Sequence, residues 1–178
     1  MARAPRLVGL VSDTHGLFDP RLVELFARCD AILHAGDIVK AAVLEALAEL
    51  APVVAVRGNN DDGPAFAHLP ETALVPLGAL TALVVHDLGA RDRPKPPARA
   101  LLARARPEIV VHGHSHRPSA AVHGGTLFVN PGSAGPRRFS LPRTAARLTL
   151  RRRTARVELF DLGADHAEPY GEAVEVTL

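Results

Sequence analysis

Short polar stretches interrupt this chain at the points where apolar runs end. They occupy residues 13–15 (Asp-Thr-His), 36–37 (Gly-Asp), 58–61 (Gly-Asn-Asn-Asp), 86–87 (His-Asp) and 113–116 (Gly-His-Ser-His). Brief apolar runs are typical of buried strands, so each polar stretch is expected directly after a strand. Ligands of open α/β sheets gather at the carboxyl ends of the strands. We therefore expect these side chains to converge although they are far apart in sequence.

The first half of the chain is predicted to alternate strands with helices. Strands are expected over residues 7–11, 31–35 and 52–56, and a second helix over about 41–50. Asp19 is the predicted N-cap of the first helix and Pro20 its first helical residue. The predicted apolar face of that helix consists of Leu22, Val23, Leu25 and Phe26. Strand–helix–strand order of this kind implies parallel pairing with right-handed crossovers.

The second half is predicted to be mostly antiparallel. Strands are expected over residues 72–77, 79–85, 108–111, 120–123, 126–129, 144–150 and 155–160. Gly124-Gly125 is a predicted hairpin turn, and the last two strands alternate apolar residues with arginine. A helix is expected over about 98–106, preceded by a Pro-rich basic loop over 90–97. The tail over 163–178 shows no clear pattern, so we expect a single domain over 1–178 with its core at about 7–160.

Composition narrows the function classes. The chain has 178 residues, 47% of them apolar, and a formal net charge of +2. No stretch approaches the length of a membrane span, so no membrane association is expected. Aromatic residues make up only 4% and no basic stripe is interleaved with them, which argues against a nucleic-acid partner. Cys29 is the only cysteine, which excludes an internal disulfide and favours a cytoplasmic location.

The polar stretches combine carboxylate, imidazole and amide groups without a thiolate. Such a set suits a catalytic divalent cation better than a structural zinc ion. Each stretch also has a simpler interpretation, because Gly-Asp and Gly-Asn-Asn-Asp are common turn sequences. All five stretches occur together in order at strand ends, however, and turn chemistry explains that poorly. His34 and His112 lie inside apolar runs and are expected to be core histidines bonded to backbone.

The ordered motifs Asp-x-His, Gly-Asp, Gly-Asn, His and Gly-His-x-His resemble the calcineurin-like metallophosphoesterase superfamily. Residues 130–133 (Asn-Pro-Gly-Ser) resemble a motif of its small phosphodiesterase branch, the YfcE/MJ0936 type. The resemblance implies an α/β fold, a four-layer α/β/β/α sandwich of two mixed sheets. It also implies that residues 130–133 are structural, with Gly132 allowing a tight turn.

The resemblance implies a site for two divalent metal ions. One ion would be held by Asp13, His15, Asp37 and His116, and the other by Asp37, Asn59, His86 and His114. Asp37 would bridge both ions, because a carboxylate has one oxygen for each. A metal-bridging hydroxide would then be the nucleophile. Mn²⁺ is the first expectation, with Fe, Ni, Co or Zn as alternatives.

Two residues depart from the family pattern. Much of the superfamily has histidine at the position of Asn60. Asn60 cannot titrate, so it can contact phosphate but cannot act as a general acid. Relatives usually have glycine at the position of Asp87. Asp87 either orients His86 through its other ring nitrogen or caps the loop, and the sequence leaves both open.

The resemblance implies a metal-dependent phosphodiesterase acting on a small or nucleotide-like phosphodiester. A phosphomonoesterase or nuclease of the same superfamily is one alternative, and a Vps29-like non-catalytic scaffold is another. Relatives of this size often form homodimers, which the sequence neither supports nor excludes. Arg137 and Arg138 are candidates for contact with a phosphate oxygen. A solvated loop is the favoured interpretation of residues 90–97.

Overall fold

The computed structural model describes residues 6–138 and 140–178, which form three helices and fourteen strands. The helices are α1 (Arg21–Phe26), α2 (Ala41–Ala48) and α3 (Pro96–Ala105). The strands are β1 (Leu7–Val11), β2 (Ala31–His34), β3 (Val53–Ala55), β4 (Thr72–Leu77), β5 (Leu80–Val85), β6 (Gly89–Ala90), β7 (Arg93–Pro94), β8 (Ile109–His112), β9 (Ser119–His123), β10 (Thr126–Asn130), β11 (Thr144–Arg151), β12 (Thr154–Asp161), β13 (Glu168–Pro169) and β14 (Val174–Thr177).

The first sheet has the strand order β13-β12-β11-β1-β2-β3. Strand β14 also belongs to this sheet and pairs with β12, as β13 does. Strands β1, β2 and β3 are parallel, with Val8 beside Ala31 and Ile32 beside Val53. The parallel pairing expected from the alternation of strands and helices is therefore present. Strand β11 joins this group antiparallel to β1, so the sheet is mixed.

The second sheet has the strand order β4-β5-β8-β10-β9. Its three central strands, β5, β8 and β10, are parallel, whereas β4 and β9 pair antiparallel at the two edges. The second half is therefore less antiparallel than the sequence suggested, since α3 connects β5 to the parallel strand β8. Strands β6 and β7 form a separate two-stranded ribbon over residues 89–94. The ribbon covers residues 90–94 of the predicted loop over 90–97 and begins one residue before it.

Three apolar clusters define four layers. The central cluster packs one sheet on the other and includes Leu10 and Leu33 from the first sheet and Val84 and Val111 from the second. A second cluster packs α1 and α2 on the outer face of the first sheet. A third packs α3 on the outer face of the second sheet through Ala98. The predicted four-layer α/β/β/α sandwich of two mixed sheets is confirmed.

Two of the three helix starts differ from the expected ones by a residue or two, whereas α2 begins at Ala41 as expected. Helix α1 begins at Arg21 with Pro20 as its N-cap residue, one position later than predicted. The Asp19 carboxylate accepts the backbone N–H of Arg21 and contacts the Arg143 guanidinium. It therefore connects the start of α1 to the segment just before β11. Val23 is 46% exposed and does not belong to the apolar face. Helix α3 begins at Pro96, because proline suits the first turn of a helix.

The tail has structure that its sequence did not predict. Strands β13 and β14 both pair antiparallel with β12. In β14, Val174 and Val176 turn towards the central core, while Glu175 and Thr177 are exposed. The alternation is present in the sequence, but a strand of four residues is too short to be distinguished from chance.

Within the described ranges, none of the helices combines the length and the apolar character needed to cross a membrane.

Candidate metal centre

All seven predicted ligand residues lie in loops that follow strands. Asp13 and His15 follow β1, Asp37 follows β2 and Asn59 follows β3, all in the first sheet. His86 directly follows β5, and His114 and His116 follow β8, both in the second sheet. The carboxyl ends of the two sheets meet here, so the seven side chains come together from both sheets.

One set of four side chains, Asp13, His15, Asp37 and His116, forms what we call the first ligand group. His116 Nε2 lies 3.2 Å from Asp13 Oδ1 and 3.3 Å from His15 Nε2. His15 Nε2 lies 3.8 Å from Asp37 Oδ2. Asp13 is fully buried, and the side chains of His15 and His116 are 7% and 10% exposed. This group is therefore the interior part of the site.

The second ligand group consists of Asp37, Asn59, His86 and His114. Asn59 Oδ1 lies 3.0 Å from both His86 Nε2 and His114 Nδ1. His86 Nε2 lies 3.4 Å from Asp37 Oδ1. Asn59 and His114 are exposed, with 47% of the His114 side chain accessible, so the site opens to solvent on this side.

Asp37 is common to both groups. Its Oδ2 faces His15 of the first group, and its Oδ1 faces His86 of the second. The Asn60 backbone N–H donates to Oδ1 at 2.9 Å, and the Asn60 side-chain amide donates to Oδ2 at 2.6 Å. The carboxylate is thus held with one oxygen directed at each group, which is the orientation that a bridging ligand requires.

The hydrogen bonding of His86 shows that the second group fits a cation. His86 Nδ1 lies 2.8 Å from the carbonyl oxygen of Ala35, which can only accept, so Nδ1 carries the proton. In the neutral ring Nε2 then presents a lone pair, and it faces the oxygens of Asp37 and Asn59. Lone pairs on atoms this close together repel one another unless a cation lies between them.

Asp13 gives the matching observation in the first group. Its Oδ1 is buried and accepts no hydrogen bond from the described residues. A buried carboxylate oxygen without a donor costs free energy unless an ion satisfies it. Adjacent ligands about 2.1 Å from one metal ion are about 3 Å apart, close to the spacings found here. Ligand atoms of Asp13, His15 and His116 lie within 4.8 Å of one another, as do those of Asp13, Asp37 and His86.

The protonation of the first group suits metal binding. Burial opposes ionisation of Asp13, but His116 and the 2.6 Å hydrogen bond from Ser12 Oγ outweigh it and lower the pKa of the carboxyl. Burial, followed by the positive charge of Arg138, lowers the pKa of His15. Both side chains therefore present the deprotonated form that a cation requires.

The backbone adopts an unusual conformation at five of the seven ligand positions. Left-handed φ values occur at Asp13 (53°), His15 (45°), Asp37 (58°), His114 (67°) and His116 (57°). Non-glycine residues rarely adopt this region, and such conformations cluster at functional sites. His114 and His116 consequently do not continue strand β8, although their alternation with His112 would have allowed it.

Two supporting residues hold the loops in place. Asp61 is 2% exposed and accepts the backbone N–H groups of Ile38, Val39 and Gly58. It therefore joins the loop of Asp37 to that of Asn59, whereas the sequence left open whether Asp61 supports the site or only forms part of a turn. Asn130 donates from Nδ2 to the Gly113 carbonyl and to Ser115 Oγ, so it supports the loop of His114 and His116.

Two glycines allow the loops to approach one another closely. A Cβ at Gly58 would lie 2.2 Å from Asp37 Oδ1, and one at Gly113 would lie 2.0 Å from Ser12 Oγ. Each distance is far inside van der Waals contact, so no other residue fits either position. The glycine in each Gly-Asn and Gly-His motif is thus required by the neighbouring ligand loop.

Asp87 lies beside His114 and away from the second nitrogen of His86. That nitrogen is bound to the Ala35 carbonyl, so the interpretation that Asp87 orients His86 through it was wrong. The alternative of loop capping is observed, since Asp87 Oδ1 accepts the Gly89 N–H at 3.0 Å. Asp87 Oδ2 contacts Lys95 Nζ and lies 3.4 Å from His114 Nε2. Burial opposes ionisation, but Lys95 and His114 lower the pKa of Asp87.

The residues that the sequence offered as phosphate contacts lie in different parts of the molecule. Arg138 acts electrostatically on His15 and is therefore near the first ligand group. Arg137 lines a separate cavity together with Tyr170. The loop over 90–97 contributes Lys95 beside the second ligand group, and Arg91 acts on His112.

His34 is an interior histidine, whereas His112 at the end of β8 is only half-buried, so the expected core position of His112 is not observed. His34 is fully buried, accepts the Gly36 N–H at Nδ1 and lies 3.0 Å from Thr14 Oγ1 through Nε2. The predicted backbone bond of His34 is thus confirmed, and a side-chain bond accompanies it. Burial lowers the pKa of both His34 and His112 to about 4, so both are neutral near pH 7.

A family model of the calcineurin-like phosphoesterase superfamily domain matches residues 7–153. The probable metallophosphoesterase MJ0623 of Methanocaldococcus jannaschii is 34% identical over 138 residues, 71% of this chain and 67% of that protein.

Two solved structures share the fold. Vacuolar protein sorting 29 (Vps29) of Cryptosporidium parvum aligns with a TM-score of 0.81 at 20% identity, covering 99% of this chain and 100% of that one. The phosphoesterase YfcE of E. coli aligns with a TM-score of 0.67 at 22% identity, covering 96% of this chain and 98% of that one. At these identities the two likenesses concern the fold alone.

Proposed function

Because this chain belongs to the calcineurin-like phosphoesterase superfamily, we propose that it is a metal-dependent phosphodiesterase acting on a small or nucleotide-like phosphodiester. One observation carries the proposal: the two Asp37 oxygens face different side chains, Oδ2 facing His15 of the first ligand group and Oδ1 facing His86 of the second. A single carboxylate shared in this way favours two cations over one. The ligand sets are the two groups defined above.

Two divalent cations bound there would activate water as the nucleophile and neutralise negative charge on the phosphoryl group. The chain itself orients the ligands. Asn60 holds both oxygens of Asp37, and Asp87 lies against the exposed ring of His114. Arg138 adds positive charge near His15, where it favours binding of an anionic phosphodiester.

We infer that Mn²⁺ is the preferred ion. Carboxylate, amide and imidazole ligands without thiolate suit first-row divalent ions of intermediate hardness. The same ligands accept Fe, Ni, Co or Zn, and availability decides among such ions in many proteins. The buried, free thiol of Cys29 agrees with a reducing cytoplasm as the place of the reaction.

Hydrolysis of bis-p-nitrophenyl phosphate by the metal-loaded protein tests this function. We expect turnover that depends on added Mn²⁺ and that Asp37→Ala and His116→Ala each reduce by at least about a hundredfold, since each removes a ligand. Asp62→Ala is the matched control, because Asp62 is an exposed carboxylate in the same loop as Asn59. This variant should leave turnover and metal content unchanged. Metal content measured on the same samples separates loss of the ion from loss of turnover.

The alternatives give different results in the same assay. A phosphomonoesterase would prefer p-nitrophenyl phosphate to the diester, and a nuclease would prefer an oligonucleotide to both. A scaffold of the Vps29 fold would hydrolyse none of them although folded and metal-loaded. We favour catalysis because all seven ligand positions are filled and converge. The same purified protein, analysed by light scattering, tests whether it forms a homodimer.

A further inference from the structure

A cavity of about 210 Å³ adjoins the second ligand group on its solvent side, and we call it the side cavity. Asn59 and His86 belong both to its lining and to the ligand group. Its other walls come from the start of β4, the end of β5 and the start of α3. A phosphodiester held at the ligand groups would therefore have open space directly beside one of its two ester oxygens.

The floor of the side cavity is apolar. Val85 is 5% exposed and Ala98 is fully buried, and both line the cavity. Thr72 lies beside Val85 across the β4–β5 pair and lines the cavity from the edge strand. Apolar floors with a few polar groups at the rim are typical of small-molecule sites. At about 210 Å³ this one has room for a single arm of a substrate.

The rim carries charges that are already paired. Arg57 Nη2 lies 3.2 Å from Glu71 Oε1, and Lys95 Nζ contacts Asp87 Oδ2. Two cations and two carboxylates give the rim a formal charge of zero. A charged arm would have to displace one of these pairs to find a counter-ion, whereas an uncharged arm with hydroxyl groups would not. The Glu71 carboxylate, 64% exposed, can accept from such hydroxyls.

We propose that the side cavity binds one alcohol arm of the phosphodiester, an uncharged arm that combines an apolar face with hydroxyl groups, as a nucleoside does. The inference rests on the proposed function, since it assumes a diester at the ligand groups. It adds the substrate class: a nucleoside arm is preferred over a small alkyl arm and over an anionic arm.

Filling the cavity tests the preference for size. Thr72→Phe places an aromatic ring in the cavity while keeping a residue that suits a strand. On thymidine 5′-(p-nitrophenyl phosphate), kcat/KM should fall by about tenfold or more, and on methyl p-nitrophenyl phosphate by less than about twofold. Leu74→Phe is the matched control, because Leu74 is an exposed residue of the same strand outside the lining. Equal losses on both probes, or no loss on either, would overturn the proposal.

Changing the rim charge tests the preference for an uncharged arm. Glu71→Gln leaves Arg57 without its carboxylate at an exposed position, so the fold should be unaffected. Turnover of a p-nitrophenyl diester with a carboxylate on its second arm should rise by about threefold or more relative to the methyl diester. Glu175→Gln is the control, since it removes an exposed partner of Arg156 far from the site. No change in Glu71→Gln would contradict the assigned role of the rim.

Binding separates this inference from the proposed function. Thymidine 5′-phosphate should bind the Mn²⁺-loaded wild type more tightly than methyl phosphate, and Thr72→Phe should remove the difference. If the wild type hydrolyses neither diester but shows this difference in binding, the proposed phosphodiesterase activity is wrong. The proposal that the side cavity binds a nucleoside arm is then still supported. If the wild type hydrolyses both diesters and shows no difference in binding, the proposed role of the side cavity is wrong. The proposed phosphodiesterase activity is then still supported.

Discussion

At the scale of single residues, Asn60 is more closely tied to Asp37 than its sequence position suggested. Its backbone and side-chain amides donate to both oxygens of that carboxylate. The sequence predicted contact with phosphate, and that role stays a prediction, since the second hydrogen of the amide is not used by this bond. In either role Asn60 supplies no proton that could leave with the alcohol.

We therefore expect turnover to depend steeply on the leaving group. Diesters of more acidic phenols should be hydrolysed much faster, because the departing oxygen receives little help from a general acid. Asn60→His should flatten the plot of log kcat against leaving-group pKa, and Asn60→Gln, which keeps an amide, should not. A wild-type plot as flat as that of Asn60→His would contradict the prediction.

His34 allows a pH prediction at the same scale. Its pKa is about 4 in the folded protein, against a usual value of about 6.5 in the unfolded chain. Between these values the unfolded state binds the additional proton, so stability contributed by neutral His34 is complete above pH 6.5 and decreases as the pH falls towards 4.

At pH 5 this contribution should be lower than at pH 7 by about 2 kcal/mol. Urea unfolding of the metal-free protein at the two pH values measures the change. His34→Gln should be less stable at both pH values, yet it should lose less stability between them than the wild type does. His123→Gln, at an exposed position, is the control and should follow the wild type.

At the scale of elements, the two terminal strands complete the first sheet. Strand β12 would be an unprotected edge without β13 and β14, which pair with it over different residues. Val174, Val176 and Leu178 also pack against the core between the sheets. The tail therefore stabilises the fold, although it lies outside the 7–153 range that the family model matches.

Removal of residues 172–178 should lower the free energy of unfolding by on the order of 3 kcal/mol, from three partly buried apolar side chains. The change is measured by urea unfolding. A Glu175→Ala and Thr177→Ala double variant alters the exposed face of the same strand and should cost little. Metal content should be unaffected in both proteins, because the ligand loops are elsewhere.

At the scale of the whole molecule, the ligand groups connect the two sheets. Four of the candidate ligands follow strands of the first sheet and three follow strands of the second, and each ligand group contains residues from both sheets. An ion in either group would therefore link sheets that otherwise meet through apolar packing. Metal binding to the folded state stabilises it by mass action.

Saturating Mn²⁺ should raise the melting temperature, with about 2.7 kcal/mol of stabilisation expected for each bound ion at a hundred times its dissociation constant. EDTA should reverse the shift, and calorimetric titration should give two ions per chain. His116→Ala should reduce both the shift and the stoichiometry, whereas His123→Ala should change neither. An unchanged melting temperature at saturation would contradict preferential binding of the ions to the folded state.

The sequence by itself determined which residues are candidate ligands and that these residues follow strands. Short apolar runs predict strands locally, and a ligand that directly follows a strand can be placed without knowledge of its neighbours. His86, directly after β5, is such a case. The four-layer fold followed from the resemblance that these motifs carry.

Only the tertiary structure decided how these residues meet. The two orientations of the Asp37 oxygens, the contact of Asp87 with His114 and the side cavity each join segments that are distant in the chain. Strand β14 likewise depends on its pairing with β12, since four alternating residues carry too little local signal. Periodicity and turn chemistry act over a few residues, whereas these arrangements result from the packing of one sheet on the other.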